Sequence, residues 1–183
     1  NVFNAEKSFS AIANSIRTRE GFLGTIEFFP EEGKYHYDGH RACAISLSPE
    51  ETIRQDYLCP KCGKRVTVGV LHRVEKLADR PQGYKPESTP PYYSLIPLIE
   101  VLAESIGVGV ASKKVDMEFQ RLIQVLGNEF TILMDAPIHG IEQASSPLIG
   151  EAISRVRSGR IHVAPGYDGE YGKIKIFDAA ERK

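Results

Sequence analysis

The chain has 183 residues, of which 42% are hydrophobic and 26% are charged, and its formal net charge is −1. This length suffices for one domain or two small domains with real cores, and the composition is that of a globular protein. The near-zero charge excludes a uniformly basic nucleic-acid binder, and no apolar run reaches membrane-spanning length.

The first half of the chain mixes helical and strand patterns. Residues 1–19 have apolar side chains at a helical period and predict a helix. A strand is predicted at 25–29 and a turn at 30–33. Residues 48–55 predict a short helix, with a serine N-cap, a proline in the first turn and a glutamate that completes a capping box. Residues 65–80 predict a strand that turns into a helix.

Three cysteines and a histidine form the most specific motif of the chain. His40 and Cys43 give H-x2-C, and Cys59 and Cys62 give C-x2-C after a spacer of fifteen residues. This is the spacing of a structural zinc site, in which two tight turns each supply two ligands to a tetrahedron. The pattern therefore predicts a binding module whose local fold depends on metal.

Two alternatives to this zinc assignment follow from the residues alone. In a secreted chain three cysteines could form one disulfide and leave one free thiol, but no signal peptide is visible. A single C-x2-C is also found in redox proteins, but there it opens a helix, whereas here it runs into a β-branched segment. The identity of the fourth ligand is open as well. Spacing favours His40, while His36 and Asp38 are the nearest alternatives and His72 is a remote one.

Residues 81–91 predict a boundary, because four prolines and a glycine among polar residues do not form regular structure. The segment 128–137 fits either a short helix or a strand, and residues 160–177 predict a hairpin. The remainder of this half is mostly helical, with helices predicted at residues 92–107, with a bend at Pro97, at 112–127 and at 145–159.

These elements predict an α+β fold, in which a small zinc-knuckle module of short strands and a helix precedes a mainly helical domain that ends in a β-hairpin. The predicted units are the tail of a truncated barrel at 1–29, the zinc module at 30–80, a proline-rich linker at 81–91 and the helical domain at 92–183.

No catalytic constellation, phosphate-binding loop or dinucleotide motif is found in the sequence, so no catalytic residue is predicted. The basic window 59–80, with six Lys or Arg against two acidic residues, favours phosphate contacts. Tyrosines near the metal motif and in the terminal hairpin are suited to base stacking, although packing against the module or a plain turn is the alternative. The candidate nucleic-acid contacts are Tyr35, Tyr37, Arg41, Lys61, Lys64, Arg65, His72, Arg73, Tyr167, Tyr171 and Lys173.

Long strings of the chain resemble the endonuclease Q family, at residues 21–43, 46–52, 59–81 and 158–177. The resemblance implies a prokaryotic DNA-repair enzyme with an N-terminal PHP (polymerase and histidinol phosphatase) barrel, a zinc-binding insert and a helical C-terminal domain. Such enzymes cleave DNA on the 5′ side of deaminated bases, such as uracil and hypoxanthine, and at abasic sites.

What the resemblance implies for this chain is the DNA-binding C-terminal part of such a nuclease. Zinc would be held at one structural site by His40, Cys43, Cys59 and Cys62. The PHP ligands of the His-x-His type are absent, and the first residue is Asn, so we expect a piece of a longer protein that does not cut DNA alone. Catalytic divalent metals are expected only in the missing PHP domain.

The expected partners are damaged or deaminated DNA and the missing PHP domain, without a membrane or a nucleotide cofactor. The expected location is the cytoplasm of a prokaryote, in association with the nucleoid. Two other functions fit the residues: a helicase-associated zinc module that binds DNA, and a zinc-stabilised protein-interaction domain. ATP-binding motifs in the parent gene would favour the first, and an absence of salt-dependent DNA binding would favour the second.

Overall fold

The structure is a computed structural model that describes residues 1–87, 89–178 and 181; the predicted linker and helical domain therefore each include residues outside the described part. The fold is α+β, as the sequence predicts. The β-strands are β1 (Val2–Phe3), β2 (Phe22–Glu27), β3 (Asp38–His40), β4 (Ile45–Leu47), β5 (Tyr92–Ser94), β6 (His162–Ala164) and β7 (Lys173–Lys175). The α-helices are α1 (Phe9–Thr18), α2 (Pro49–Arg54), α3 (Val70–Leu77), α4 (Leu98–Ile106), α5 (Lys113–Leu126), α6 (Ile138–Ala144) and α7 (Pro147–Ser158).

The N-terminal residues form a small sheet with the strand order β1-β2-β5. The prediction of one helix over residues 1–19 is wrong at its start, because β1 pairs with β2 and the rings of Phe3 and Phe22 lie 5.3 Å apart. Helix α1 begins only after Ser8, whose side chain accepts a hydrogen bond from the Ala11 backbone N–H.

The module that contains the cysteines is built from the β3–β4 pair, α2 and α3. Helix α2 has the predicted capping box between Ser48 and Glu51. The strand predicted after the second cysteine pair is wrong, because only isolated bridges form there, between Leu58 and Arg65 and between Gly39 and Thr67. The hydrophobic core of this module is small, and its buried residues are Leu47, Cys59 and Val66.

The second half packs α4, α5, α6 and α7 around one apolar core. Helix α4 buries Leu98, Val101 and Leu102, and α5 contributes Val115 and Leu122. The spacing is i, i+3 and i+4 in α4 and i, i+7 in α5. The buried residues of each helix therefore lie on one face, which packs against the core.

The prediction of a helix from residue 92 is also corrected. Tyr92–Ser94 forms β5, which pairs in parallel with β2, and the helix starts after Pro97. Proline has no N–H and has its φ fixed, so it is compatible with a helix start but interrupts a continuous helix. The undecided segment 128–137 contains a short π-helix at Thr131–Asp135.

Arg157 on α7 ties this π-helix to the core. Its guanidinium donates hydrogen bonds to the carbonyl oxygens of Ile132, Leu133 and Ala136, at 2.7–2.9 Å. Burial lowers the pKa of this group, and Asp135 opposes that effect. One side chain thus satisfies two carbonyls of the π-helix and that of its C-cap residue Ala136, which is how irregular helical turns avoid unpaired acceptors.

The described part of residues 81–91 contains no helix or strand. The Pro91 carbonyl nevertheless accepts a hydrogen bond from the Thr25 backbone N–H, which leads the chain into β5 beside β2. Among the residues that the structure describes, no helix has the length and apolar character needed to cross a membrane.

Candidate metal centre and nucleic-acid interface

Four side chains meet at one point of the cysteine module. The ligand atoms of His40, Cys43, Cys59 and Cys62 all lie within 4.8 Å of one another, and Nδ1 of His40 is 3.4 Å from Sγ of Cys62. All three cysteines are free of disulfides. A Zn–S bond of about 2.3 Å gives tetrahedral edges of roughly 3.8 Å, so this donor set fits one metal ion.

The backbone brings these ligands together through two tight turns. His40 ends β3, and a 3-10 turn places Cys43 behind it. In the second turn the Gly63 N–H donates to the Cys59 carbonyl at 2.8 Å, with Gly63 at a φ of +70°. Only glycine adopts this conformation without strain, so Gly63 lets the chain fold back past Cys62.

The surroundings shift the pKa values of Cys43 and Cys59 in opposite directions. The pKa of Cys43 is raised to about 11, first by its hydrogen bond with Cys62 and then by desolvation. The pKa of Cys59 is lowered to about 6, because backbone N–H groups of Lys61 and Cys62 and the His40 side chain outweigh its burial. Donors aimed at a sulfur stabilise the thiolate, which is the form that binds a metal.

The other candidates for the fourth ligand have partners elsewhere. Asp38 is fully buried and accepts hydrogen bonds from the Gly69 N–H at 2.6 Å and from Nδ1 of His72 at 2.7 Å. Nε2 of His72 meets the Tyr57 hydroxyl at 3.2 Å. His36 stacks on the neighbouring Tyr37 ring. Of the four alternatives, only His40 therefore belongs to the group of ligand atoms.

The loop of the C-terminal hairpin docks on the cysteine module. Backbone N–H groups of Gly166, Gly169 and Gly172 donate to the carbonyls of Glu31, Lys34 and Glu32, at 2.8–3.0 Å. A Cβ at Gly172 would overlap the Glu31 carbonyl, so the glycines permit an approach of two backbones. The strands β6 and β7 confirm the predicted hairpin, and its loop crosses the predicted domain boundary.

Asp168 fixes this docking and was missed by the sequence reasoning. Its carboxylate accepts hydrogen bonds from the Arg41 backbone N–H and from the Thr67 hydroxyl, both at 2.6 Å. Burial would raise its pKa, but these two bonds and the positive charge of Arg41 hold it below the ordinary value of 3.8. The signal in the sequence was weak: an aspartate between glycines is typical of an exposed turn.

Replacing this carboxylate tests the docking. Asp168→Asn keeps the size of the side chain, and asparagine tolerates the positive φ of 44°. However, a neutral amide oxygen accepts weaker hydrogen bonds than a carboxylate does. We expect a local loss of about 1–2 kcal/mol, seen as roughly 5- to 30-fold faster hydrogen exchange at Gly169 and Gly172. The exposed Asp116→Asn is the control. Unchanged exchange in Asp168→Asn would show that the glycine contacts suffice alone.

The hairpin loop brings several predicted contact residues to one surface. Arg41, Tyr167, Tyr171 and Lys173 line a cleft of about 300 Å³. Tyr171 also lies beside Lys34, whose Nζ is 5.6 Å from its ring centroid. Lys34 was not among the predicted contacts, because a single lysine in a turn carries no signal of its own.

The other predicted contact residues differ in exposure. His72 is corrected: it is only 7% exposed and both ring nitrogens have protein partners, so it holds the module together instead of facing DNA. Tyr37 and Tyr167 are half-buried and form a backbone bridge with each other. The predicted contacts Lys61, Lys64, Arg65 and Arg73 are exposed cations of the second knuckle and α3, and Lys76 is a further exposed cation of α3.

Solved structures share this architecture over almost the whole chain. The lesion-specific endonuclease PfuEndoQ from Pyrococcus furiosus superposes with a TM-score of 0.82 at 30% identity, over 94% of this chain and 43% of that one. An Endonuclease Q complex with a 27-mer duplex that carries an abasic lesion at the active site gives a TM-score of 0.79 at 31% identity, over 96% and 45%. The chain is related to endonuclease Q.

Two curated proteins are similar in sequence to this endonuclease Q-like chain. The MJ0043 protein of Methanocaldococcus jannaschii is 36% identical over 93% of the chain and 21% of its own length. YqxK of Bacillus subtilis is 31% identical over 80% of the chain and 34% of its own length. The MJ0043 C-terminal domain family matches residues 97–160. The chain thus spans less than half of the endonuclease Q structures and about a fifth to a third of the curated relatives.

Proposed function

We propose that this chain is the DNA-binding part of an endonuclease Q-type repair enzyme that cleaves 5′ to deaminated bases or at abasic sites. The observation that supports this proposal best is the similarity of the chain, over 96% of its length, to a structure that was solved with a lesion-containing duplex. In this proposal the phosphodiester is hydrolysed on the metals of a PHP domain, and the present residues hold the DNA.

We propose zinc as the metal of the four-ligand site. Three sulfurs and one imidazole nitrogen are soft and borderline donors, which suit Zn²⁺ better than Mg²⁺ or Ca²⁺. Four protein ligands complete the coordination and leave no position for water. The metal would therefore stabilise the module and keep the two knuckles in register, and it would not take part in hydrolysis.

We propose two kinds of DNA contact around this module. The exposed cations of the second knuckle and α3 would hold the phosphate backbone by charge. The tyrosines near the hairpin loop would meet a base that has left the stack. Unpairing is cheapest at a damaged or mismatched position, so lesion recognition and base exposure are linked.

Charge reversal at the second knuckle and on α3 tests the proposed contacts with the DNA backbone. The double variant Arg65→Glu and Arg73→Glu should weaken binding to an abasic duplex by tenfold or more at low salt. The slope of log K against log [salt] should fall by about two, one for each lost contact. Fluorescence anisotropy on the purified chain at several salt concentrations measures both.

A matched control separates contact from overall charge. Lys113→Glu and Lys114→Glu on α5 change the net charge equally, at exposed positions of the helical half. Equal losses in the two double variants would mean that only net charge matters. Unchanged affinity in the first variant would remove these arginines from the interface, and no salt-dependent binding by the wild type would favour a protein-docking module.

A further inference from the structure

Two exposed tyrosines from distant parts of the chain lie beside the same ammonium group. Nζ of Lys34 is 5.7 Å from the ring centroid of Tyr35 and 5.6 Å from that of Tyr171. Tyr171 is 71% exposed and Tyr35 is 46% exposed. These three residues, which we call the Lys34 site, present aromatic surface and one positive charge to solvent.

The backbone fixes the two tyrosines relative to each other. The loop that carries Tyr171 is bonded on both sides to the segment of Lys34 and Tyr35, through Gly169 to the Lys34 carbonyl and through Gly172 to the Glu32 carbonyl. A ligand that spans both rings meets two backbone segments whose separation is already fixed, so less conformational entropy is lost on binding.

The surroundings of the Lys34 site carry charges of both signs. The cleft beside Tyr171 adds Arg41 and Lys173 as cations. Of the neighbouring acids, Asp168 is already held by the Arg41 backbone N–H and the Thr67 hydroxyl, and Glu170 lines the cleft with its carboxylate 3.8 Å from Nε of Arg41. Both members of that pair are exposed, so their attraction is weak and a phosphate group can compete for the guanidinium. Aromatic faces next to three cations match a nucleotide chain, in which bases and phosphates alternate.

We propose that the Lys34 site binds unpaired nucleotides of DNA, with bases stacked on Tyr35 and Tyr171 and phosphates held by Lys34, Arg41 and Lys173. The proposal rests on the proposed function and names the form of DNA that this surface takes. In an intact duplex the base faces are covered by their neighbours, so these rings have nothing to stack on. The site therefore favours the strand opened at a lesion over the paired duplex.

Removing the rings without changing charge tests the proposal. The double variant Tyr35→Leu and Tyr171→Leu should bind a single-stranded 12-mer of deoxythymidine tenfold or more weakly, because stacking contributes about 1–3 kcal/mol per base. Its affinity for an intact duplex should change less than twofold, and its salt slope should stay that of the wild type. Tyr84→Leu, at a 56% exposed ring that Arg80 covers, is the control and should change neither affinity.

Further variants separate stacking from other roles. Tyr35→Phe with Tyr171→Phe keeps the rings and should retain single-strand affinity, whereas Lys34→Gln should lower the salt slope by about one. Loss in the phenylalanine variant, equal loss on both DNAs, or no loss in the leucine variant would each overturn the proposal. Bound metal and circular dichroism confirm folding. A wild type that binds duplex but not the single strand refutes this site alone, and one that binds neither refutes the proposed function as well.

Discussion

Removing the metal is expected to unfold the module of β3, β4, α2 and α3 while helices α4 to α7 stay folded. The module buries only Leu47, Cys59 and Val66 as a hydrophobic cluster, too little to offset the entropy of ordering its loops. In zinc-finger peptides the metal supplies on the order of 10 kcal/mol at neutral pH, so its loss outweighs any single contact here.

Hydrogen exchange after treatment with a chelator measures this outcome. The amides of Cys59, Gly63 and Thr67 have backbone acceptors within the module and should lose their protection. Amides inside α4 and α5, such as Leu102 and Leu122, belong to the larger core and should keep theirs. Protection that persists in the module without metal would contradict the assigned role of the four ligands.

A pair of histidine variants tests the ligand assignment itself. His40→Ala removes one ligand of the four-atom group, whereas His36→Ala removes a ring that stacks on Tyr37. Metal analysis should find near one zinc per chain in the wild type and in His36→Ala, and much less in His40→Ala and Cys59→Ser. Metal retained in His40→Ala but lost in His36→Ala would exchange the roles of the two histidines.

The grouping of the four candidate ligands was predictable because the geometry of each pair is local. Cys59 and Cys62 lie in one turn, and a two-residue spacer nearly dictates that both sulfurs face the same point. The choice between His40 and Asp38 was not local. It depended on Asp38 being used by Gly69 and His72, about thirty residues further along the chain.

Other features depended on partners that a sequence pattern does not reveal. Residues 92–94 fit the helical period of the segment after them, but β2 offered an unpaired edge and they became a strand. The hairpin was predicted from the alternation of side chains along its strands. Its docking, however, depends on Asp168, which accepts a hydrogen bond from the N–H of Arg41, 127 positions away in the sequence. His72 lies in a basic stretch of the sequence and was therefore predicted to contact DNA. The density of charged residues in a sequence does not show which of them are buried.

Asp38 connects these observations and gives the second large effect that we expect. Its carboxylate is buried, accepts from the N-cap residue Gly69 of α3 and orients the His72 ring, so it fastens α3 to the strand that ends in His40. The adjoining N–H groups of Val70 and Leu71 donate to the carbonyls of Tyr35 and His36. Without the carboxylate, one buried donor and one buried imidazole lose their partner together.

Asp38→Ala should therefore lower the free energy of unfolding by about 3 kcal/mol, measured by urea denaturation with zinc in excess. Asp79→Ala, at a side chain that is 81% exposed, is the matched control and should stay within about 0.5 kcal/mol. Asp38→Asn should lie between them, because its amide oxygen still accepts one hydrogen bond but its NH₂ faces a second donor. If Asp38→Ala lowers the free energy of unfolding no more than the control does, α3 is held by the backbone hydrogen bonds alone. The Asp38–His72 contact then does not stabilise the cysteine module.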